Sequence, residues 1–160
     1  MDPCCAAQQG PATGPHRCPG CDAPGRPVDR ITVKALLRPE GLMRLTAPDH
    51  RFCPTAECTV VYFGLDQVFT RQDVRVPVFQ KEPPGERTVC YCFEVTEEHI
   101  RRELTETGRS AAAERITQLV EHEQCACEVR NPQGTCCLGN VVAVTKAAGS
   151  ARRAEVSRDV

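Results

Sequence analysis

The chain carries the segment Cys90-Tyr91-Cys92 and, after a polar stretch of helical character, the segment Cys127-Glu128-Val129-Arg130-Asn131-Pro132-Gln133-Gly134-Thr135-Cys136-Cys137. Thiols grouped in two loops on either side of such a stretch are typical of an iron–sulfur site. A [2Fe-2S] cluster takes four thiolates, two for each iron, and two separate loops can supply them. The two segments therefore predict a [2Fe-2S] site.

The second loop offers more thiols than the cluster needs. Cys90 and Cys92 can serve one iron, and the other pair comes from four candidates that the spacing does not separate: Cys125, Cys127, Cys136 and Cys137. The run Asn131-Pro132-Gln133-Gly134 has the residues of a tight turn. We expect this turn to bring Cys127 and Cys137 together.

A second group of thiols lies earlier in the chain, in Cys18-Pro19-Gly20-Cys21 and Cys53-Pro54-Thr55-Ala56-Glu57-Cys58. Two paired-thiol turns of this kind suit a tetrahedral zinc ion, and sites with four thiolates are usually structural. We expect His50, three residues before Cys53, to be an exposed loop residue and not a ligand.

Composition favours metals as the source of stability. Among 160 residues, 41% are apolar but only 4% aromatic, so the core is thin, and 12 cysteines are present to staple it. No secretory signal is visible at the first residues, so we expect a cytoplasmic protein whose reduced thiols bind metal. No apolar run is long enough for membrane insertion. A net charge of −1 gives no electrostatic case for nucleic acid.

Local patterns predict mixed secondary structure in the first half. Thr32 is a candidate cap for a helix over 33–37 that ends at 38–41. The β-branched and aromatic run 59–63 predicts a buried strand. The alternating valines of 74–78 predict a second strand, which Pro77 places at a sheet edge.

The second half is predicted to be helical around the cluster loops. Thr96 is expected to cap a helix that ends at Gly108, and a second helix is expected to start at Ser110. The apolar sides of this hairpin can cover the cluster loops. His99 and His122 are interpreted as solvated helix positions.

The predicted fold class is α+β, with a small zinc-stapled α/β module followed by a helical [2Fe-2S]-binding module. The expected divisions are a disordered leader (1–16, with Cys4 and Cys5), the zinc-binding module (17–80), a charged and Pro-rich linker (81–88), the [2Fe-2S]-binding module (89–146) and a disordered tail (147–160).

Four stretches resemble the N-terminal module of CopZ-type copper chaperones: Cys58-Thr59-Val60-Val61-Tyr62-Phe63-Gly64, Cys90-Tyr91-Cys92-Phe93, Thr96-Glu97-Glu98-His99-Ile100 and Asn131-Pro132-Gln133-Gly134-Thr135-Cys136-Cys137-Leu138-Gly139. The resemblance spans residues 17–145, and the second half is similar to bacterioferritin-associated ferredoxin-like [2Fe-2S] domains.

The resemblance implies one zinc ion and one [2Fe-2S] cluster. Carried over position by position, it implies the cluster ligands Cys90, Cys92, Cys127 and Cys137. It implies the zinc ligands Cys18, Cys21, Cys53 and Cys58. Cys125 and Cys136 then remain as accessory thiols.

The function implied is that of a metallochaperone-type accessory protein in copper or other heavy-metal handling, in which cluster redox supports metal reduction or transfer. The sequence contains no Met-x-Cys-x-x-Cys copper-binding loop. We therefore expect a separate soft-metal carrier or transporter as partner, with an electron donor that the sequence does not specify. The alternative is a ferredoxin-like electron-transfer or docking module for a reductase partner.

The sequence does not indicate a conventional enzyme. It contains no Ser/His/Asp set, no paired-carboxylate constellation and no phosphate-binding loop, so a hydrolase or transferase has almost no support. Metal reduction through the cluster is the one activity to consider.

Overall fold

The computed structural model describes residues 15–157. The first half of these residues forms a four-stranded antiparallel sheet in which each strand pairs with the next. Its strands are β1 Arg26–Val28, β2 His50–Phe52, β3 Val60–Gly64 and β4 Gln67–Thr70. Every residue of β3 is buried, which confirms the strand predicted over 59–63.

The strand predicted over 74–78 is wrong. Val74 makes a single isolated bridge to Leu37, and residues 75–78 form no strand. Val74 and Val78 are nevertheless buried in the core of this half. The alternating valines therefore predicted burial correctly, but they did not predict strand pairing.

Two short helices, α1 Arg30–Leu36 and α2 Pro39–Arg44, connect β1 to β2. Thr32 lies buried inside α1, and Asp29 occupies the N-cap, so the predicted cap is wrong. Pro39 does not end the helical region but begins α2, where the first helical position tolerates a residue without an N–H.

Aromatic side chains concentrate in the core between the sheet and α1. Phe52, Tyr62 and Phe69 are fully buried there, together with Val33 and Leu37. These three aromatic side chains thus bury a large apolar surface in this core.

The second half begins with a two-stranded sheet, β5 Thr88–Cys90 and β6 Val95–Thr96. Four helices follow: α3 Glu97–Thr107, α4 Ala112–Glu121, α5 Cys127–Arg130 and α6 Leu138–Val156. The Thr96 side chain caps α3 by accepting from the His99 N–H, and Gly108 ends the helix with a φ of 81°. Both predictions are confirmed.

Helix α6 was not expected from the sequence. Its residues 147–156 continue the helix, so the disordered tail predicted from residue 147 is wrong there. Val141 and Val144 on α6 are buried against Ile100 of α3 and Ile116 of α4. Three helices, and not a simple hairpin, therefore enclose the core of the second half.

The segment predicted as a linker is anchored at its end by Arg87. The Arg87 guanidinium lies 4.2 Å from the centre of the Phe79 ring and pairs with the buried Glu97 carboxylate at 2.7 Å. Burial raises the pKa of Glu97, but the Gly85 N–H and Arg87 outweigh it and hold that pKa below its usual range. Arg101 makes a second ion pair with Glu97 at 2.8 Å.

The observed mixture of helices and strands agrees with the α+β class. Between residues 15 and 157, no helix combines the length and the apolar composition that crossing a bilayer requires.

Candidate metal centres

The first thiol turn is built by backbone hydrogen bonds around Cys18. The N–H groups of Cys21 and Asp22 donate to the Cys18 carbonyl at 3.4 and 2.8 Å, and the Gly20 N–H points to the Cys18 Sγ at 3.4 Å. A Cβ on Gly20 would lie 2.9 Å from Val60 and 3.2 Å from the Cys58 Sγ. Glycine is therefore required for the two thiol turns to approach each other.

The second thiol turn joins the ends of β2 and β3. The Cys53 N–H donates to the Val61 carbonyl at 2.9 Å, which extends the strand pairing, and the Cys58 N–H donates to the Thr55 carbonyl at 3.3 Å. The sheet thus fixes both ends of this turn.

The four thiols of these turns converge. Their sulfur atoms all lie within 4.8 Å of one another, with Cys18 and Cys58 at 3.8 Å and Cys21 and Cys53 at 3.7 Å. Tetrahedral zinc with Zn–S bonds of ~2.3 Å places its sulfur ligands about 3.8 Å apart. The geometry fits a closed tetrahedral site, and only Cys21 is exposed.

Electrostatics distinguish the exposed thiol from the buried ones. Burial raises the pKa of Cys18 to about 12 and also raises the pKa of Cys58. The Thr55 hydroxyl, 3.4 Å from the Cys21 Sγ, lowers the pKa of Cys21 to about 6.

His50 is not the exposed loop residue that the sequence predicted. It lies on β2, is only 2% exposed, and stacks against Phe69 with ring centres 5.8 Å apart. Burial lowers its pKa, so the imidazole is neutral. The four-thiol group does not include it.

The second thiol group is assembled from β5, α5 and the start of α6. Cys90 ends β5, Cys92 lies in the turn before β6, and Cys127 begins α5. Cys137 immediately precedes α6, and its carbonyl accepts from the Val141 N–H at 3.1 Å. Cys90, Cys127 and Cys137 are buried, and Cys92 is half-buried.

The turn between Cys127 and Cys137 forms as the sequence predicted. The Gly134 N–H donates to the Asn131 carbonyl at 2.8 Å, and the Asn131 side chain donates to the Thr135 carbonyl at 2.7 Å. Gly134 has a φ of 69°, which glycine adopts without strain. The turn places Cys137 near enough to Cys127 for that thiol to lower the pKa of Cys137.

The sulfur atoms pair across the two loops. Those of Cys92 and Cys127 lie 3.6 Å apart. Cys90 lies near enough to Cys137 for that thiol to raise the pKa of Cys90. Two thiolates on one tetrahedral metal have this kind of separation. The structure therefore groups Cys92 with Cys127, whereas the sequence grouped Cys90 with Cys92.

Hydrogen bonds distribute charge unevenly among these thiols. The bonds of Cys127 to Cys136, Cys137 and Cys92 raise its pKa. Interaction with Cys127 lowers the pKa of Cys137 to about 4, and it also lowers the pKa of Cys92 to about 7. Thiolates are the form in which cysteine binds metal. The Ala126 N–H, 3.3 Å from the Cys92 Sγ, is placed to stabilise that thiolate further.

The accessory thiols lie beside this group. Cys136 is half-buried, and its hydrogen bond with Cys127 lowers its pKa to about 6. Cys125 is also half-buried. Cys4 and Cys5 lie outside the described residues.

Three further side chains connect the two centres, and sequence reasoning missed them. They are Tyr62, Lys81 and Tyr91, which bond to backbone groups of the thiol-bearing segments or of the chain between them. Their partners lie between 12 and 70 residues away in sequence. No local pattern could have identified them.

Comparison with known proteins supports the zinc-binding half of this arrangement. Residues 15–75 match a family model, the CopZ zinc finger, described as "Zinc binding domain". Over 149 residues the chain is 36% identical to the copper chaperone CopZ of Archaeoglobus fulgidus, covering 89% of this chain and 70% of that protein. The X-ray structure of the N-terminal domain of the same CopZ matches 80% of this chain and 96% of that domain, with a TM-score of 0.69 and 32% identity.

Proposed function

Because the chain belongs to the CopZ family of copper chaperones, we propose that it is an accessory protein of copper handling that holds one zinc ion and one [2Fe-2S] cluster. The zinc ligands are Cys18, Cys21, Cys53 and Cys58. The cluster ligands are Cys90, Cys92, Cys127 and Cys137.

The zinc ion has a structural role. Its four ligands leave no open position for a substrate, and three of them are buried against Val60 and Phe63. A catalytic zinc keeps one position for water or substrate, which this group of four thiols does not provide. The ion holds the two thiol turns at the end of the sheet.

The observation that carries the proposal is the second thiol group. The sulfur atoms of Cys92 and Cys127 lie 3.6 Å apart, a separation that suits two thiolates on one tetrahedral iron, and Cys92 is half-buried. A [2Fe-2S] cluster that an electron donor has reduced would supply one electron and return to its oxidised state, and one electron is what converts Cu(II) into Cu(I). The half-buried Cys92 side of the site is where an electron partner or a metal ion comes nearest to the cluster.

The copper ion itself is carried by a separate soft-metal carrier or transporter. Cu(I) prefers an accessible pair of thiolates, and the Cys18–Cys21 pair is already occupied by zinc. Cys136 adjoins the cluster ligand Cys127 and is not presented as a separate transfer loop. The protein thus contributes the electron and not the tight copper site.

Two measurements on anaerobic holo protein test this proposal. The first is competitive Cu(I) titration against a chelator. The second is the rate at which the dithionite-reduced, desalted cluster is reoxidised by Cu(II). We expect weak Cu(I) binding and rapid reoxidation. Tight one-to-one Cu(I) binding without loss of zinc or iron would favour direct carriage, and a reduced cluster inert to Cu(II) would favour a ferredoxin-like module.

A further inference from the structure

A buried hydrogen bond joins the zinc half to the cluster-binding loop. Tyr62 lies on β3, four residues after Cys58, and none of its surface is exposed. Its hydroxyl donates to the Pro132 carbonyl at 2.8 Å, inside the turn between Cys127 and Cys137. The position of this turn is thus tied to a strand that begins two residues after the zinc ligand Cys58.

The same turn packs directly against α1. A Cβ on Gly134 would lie 2.9 Å from Val28 and 3.1 Å from the Thr32 hydroxyl, so the backbone of the turn touches the first half. Displacement of β1 or α1 would therefore remove the surface on which the turn rests.

Lys81 makes a second connection, on the zinc side. Lys81 is 5% exposed, and its ammonium donates to the carbonyls of Thr55 at 2.8 Å and Cys58 at 3.0 Å, both within the second thiol turn. Four thiolates around one Zn²⁺ carry a net charge of −2, which favours a buried ammonium at this place. Loss of zinc removes that stabilisation and disorders the turn that Lys81 holds.

Tyr91 completes this second connection on the cluster side. It lies between Cys90 and Cys92, and its hydroxyl donates to the Pro77 carbonyl at 2.6 Å and accepts from the Phe79 N–H at 2.9 Å. Phe79 begins the short 3-10 helix that ends at Lys81. One short helix thus contacts a zinc-bearing turn at one end and a cluster-bearing segment at the other.

We propose that the two metal sites are energetically coupled through these contacts, so that bound zinc slows the loss of the cluster and the bound cluster strengthens the retention of zinc. The inference rests on the proposed function, because it needs both groups bound. The coupling arises because metal binding at either site favours the folded form of the thiol turns, and the two sites share contacts that depend on that form. Tyr62, Lys81 and Tyr91 are positioning residues in this scheme, since none of them contacts a metal.

The test uses the full-length holo protein under anaerobic conditions. The rate at which an iron chelator removes the cluster is measured by visible absorption in three states of the protein. These are the protein with zinc bound, the protein after a zinc-selective chelator has removed the zinc, and the protein after zinc has been added back. The ratio of the rates without and with zinc measures the coupling. We expect a ratio of about ten or more, within the usual range of coupling between sites, and its reversal when zinc is returned.

Variants separate coupling from a general loss of stability. Tyr62→Phe is expected to lower the ratio about fivefold, the effect of one buried hydrogen bond. Lys81→Met, which removes two hydrogen bonds, is expected to lower it at least as much. Ser110→Ala removes a hydroxyl bonded only within the α3–α4 region, and Lys34→Met removes an exposed ammonium. Both control variants should keep the wild-type ratio.

The outcomes distinguish the two claims. A protein that binds both groups but shows a ratio of one, or controls that lower the ratio as much as Tyr62→Phe, would overturn the coupling and leave the proposed function intact. A protein that assembles no cluster would overturn the proposed function and the coupling with it. Zinc affinity that rises when the cluster is loaded would support the coupling independently, because linkage is reciprocal.

Discussion

Gly134 is the residue whose replacement tests the cluster-binding loop most sharply. Its φ of 69° lies in the left-handed region, where a side chain costs about 1–2 kcal/mol. A Cβ would also lie 2.9 Å from Val28 and 3.1 Å from the Thr32 hydroxyl, and such overpacking costs about 1–3 kcal/mol. Gly134→Ala is therefore expected to lower the free energy of unfolding by about 2–5 kcal/mol.

Gly139 provides the matched control. It lies in the first turn of α6, and a Cβ there would meet no atom within 4 Å. Gly139→Ala should leave stability unchanged or raise it by up to about 1 kcal/mol, because alanine favours the helix.

Denaturant unfolding of the anaerobic holo proteins, followed by circular dichroism and by the visible absorption of the cluster, measures both effects. Gly134→Ala should lose its cluster at lower denaturant than Gly139→Ala. Equal midpoints for the two variants would refute the argument that this turn rests tightly on the first half.

Further predictions concern the ligands, one carboxylate and the zinc ion. Cys92→Ser or Cys127→Ser should abolish the cluster absorption and spare the zinc, whereas Cys125→Ser should keep both; bleaching by Cys125→Ser alone would contradict the ligand assignment. The lowered pKa of Glu97 stabilises the fold fully above its unfolded pKa of about 4.5, and this contribution is lost as the pH falls through the folded value. Glu97→Gln should thus lower the free energy of unfolding by about 1–3 kcal/mol at pH 7 and flatten its acid dependence in denaturant titrations. Zinc chelation should remove about 10 kcal/mol of metal-coupled folding energy from residues 17–79, so native-like NMR dispersion there without metal would contradict the structural role of zinc.

Features fixed by nearby residues could be predicted from the sequence. The Thr96 cap, the Gly108 helix end and the turn before Gly134 each depend on contacts within a few residues. The thiol turn at Cys18 is of the same kind, because its hydrogen bonds close within the turn.

Features fixed by distant contacts could not be predicted. Strands β1, β2 and β4 have only three or four residues, too few for a period to be visible. His50 looked like an exposed loop residue because its burial depends on pairing between β2 and β3.

Helix α6 was missed for a related reason. Its polar and small residues beyond Ala147 give no clear apolar stripe, and the helix is anchored chiefly through Val141 and Val144 at its beginning. The pairing of Cys92 with Cys127 likewise follows from how α5 packs in the fold, which thiol spacing does not encode.

The central claim is that eight thiols form two metal centres of different kinds, and metal and sulfide analysis of anaerobically purified protein tests it directly. The account predicts about two irons, two acid-labile sulfides and one zinc per chain, with the visible charge-transfer bands of a [2Fe-2S] cluster. Zinc in both sites, with no such bands, would contradict it.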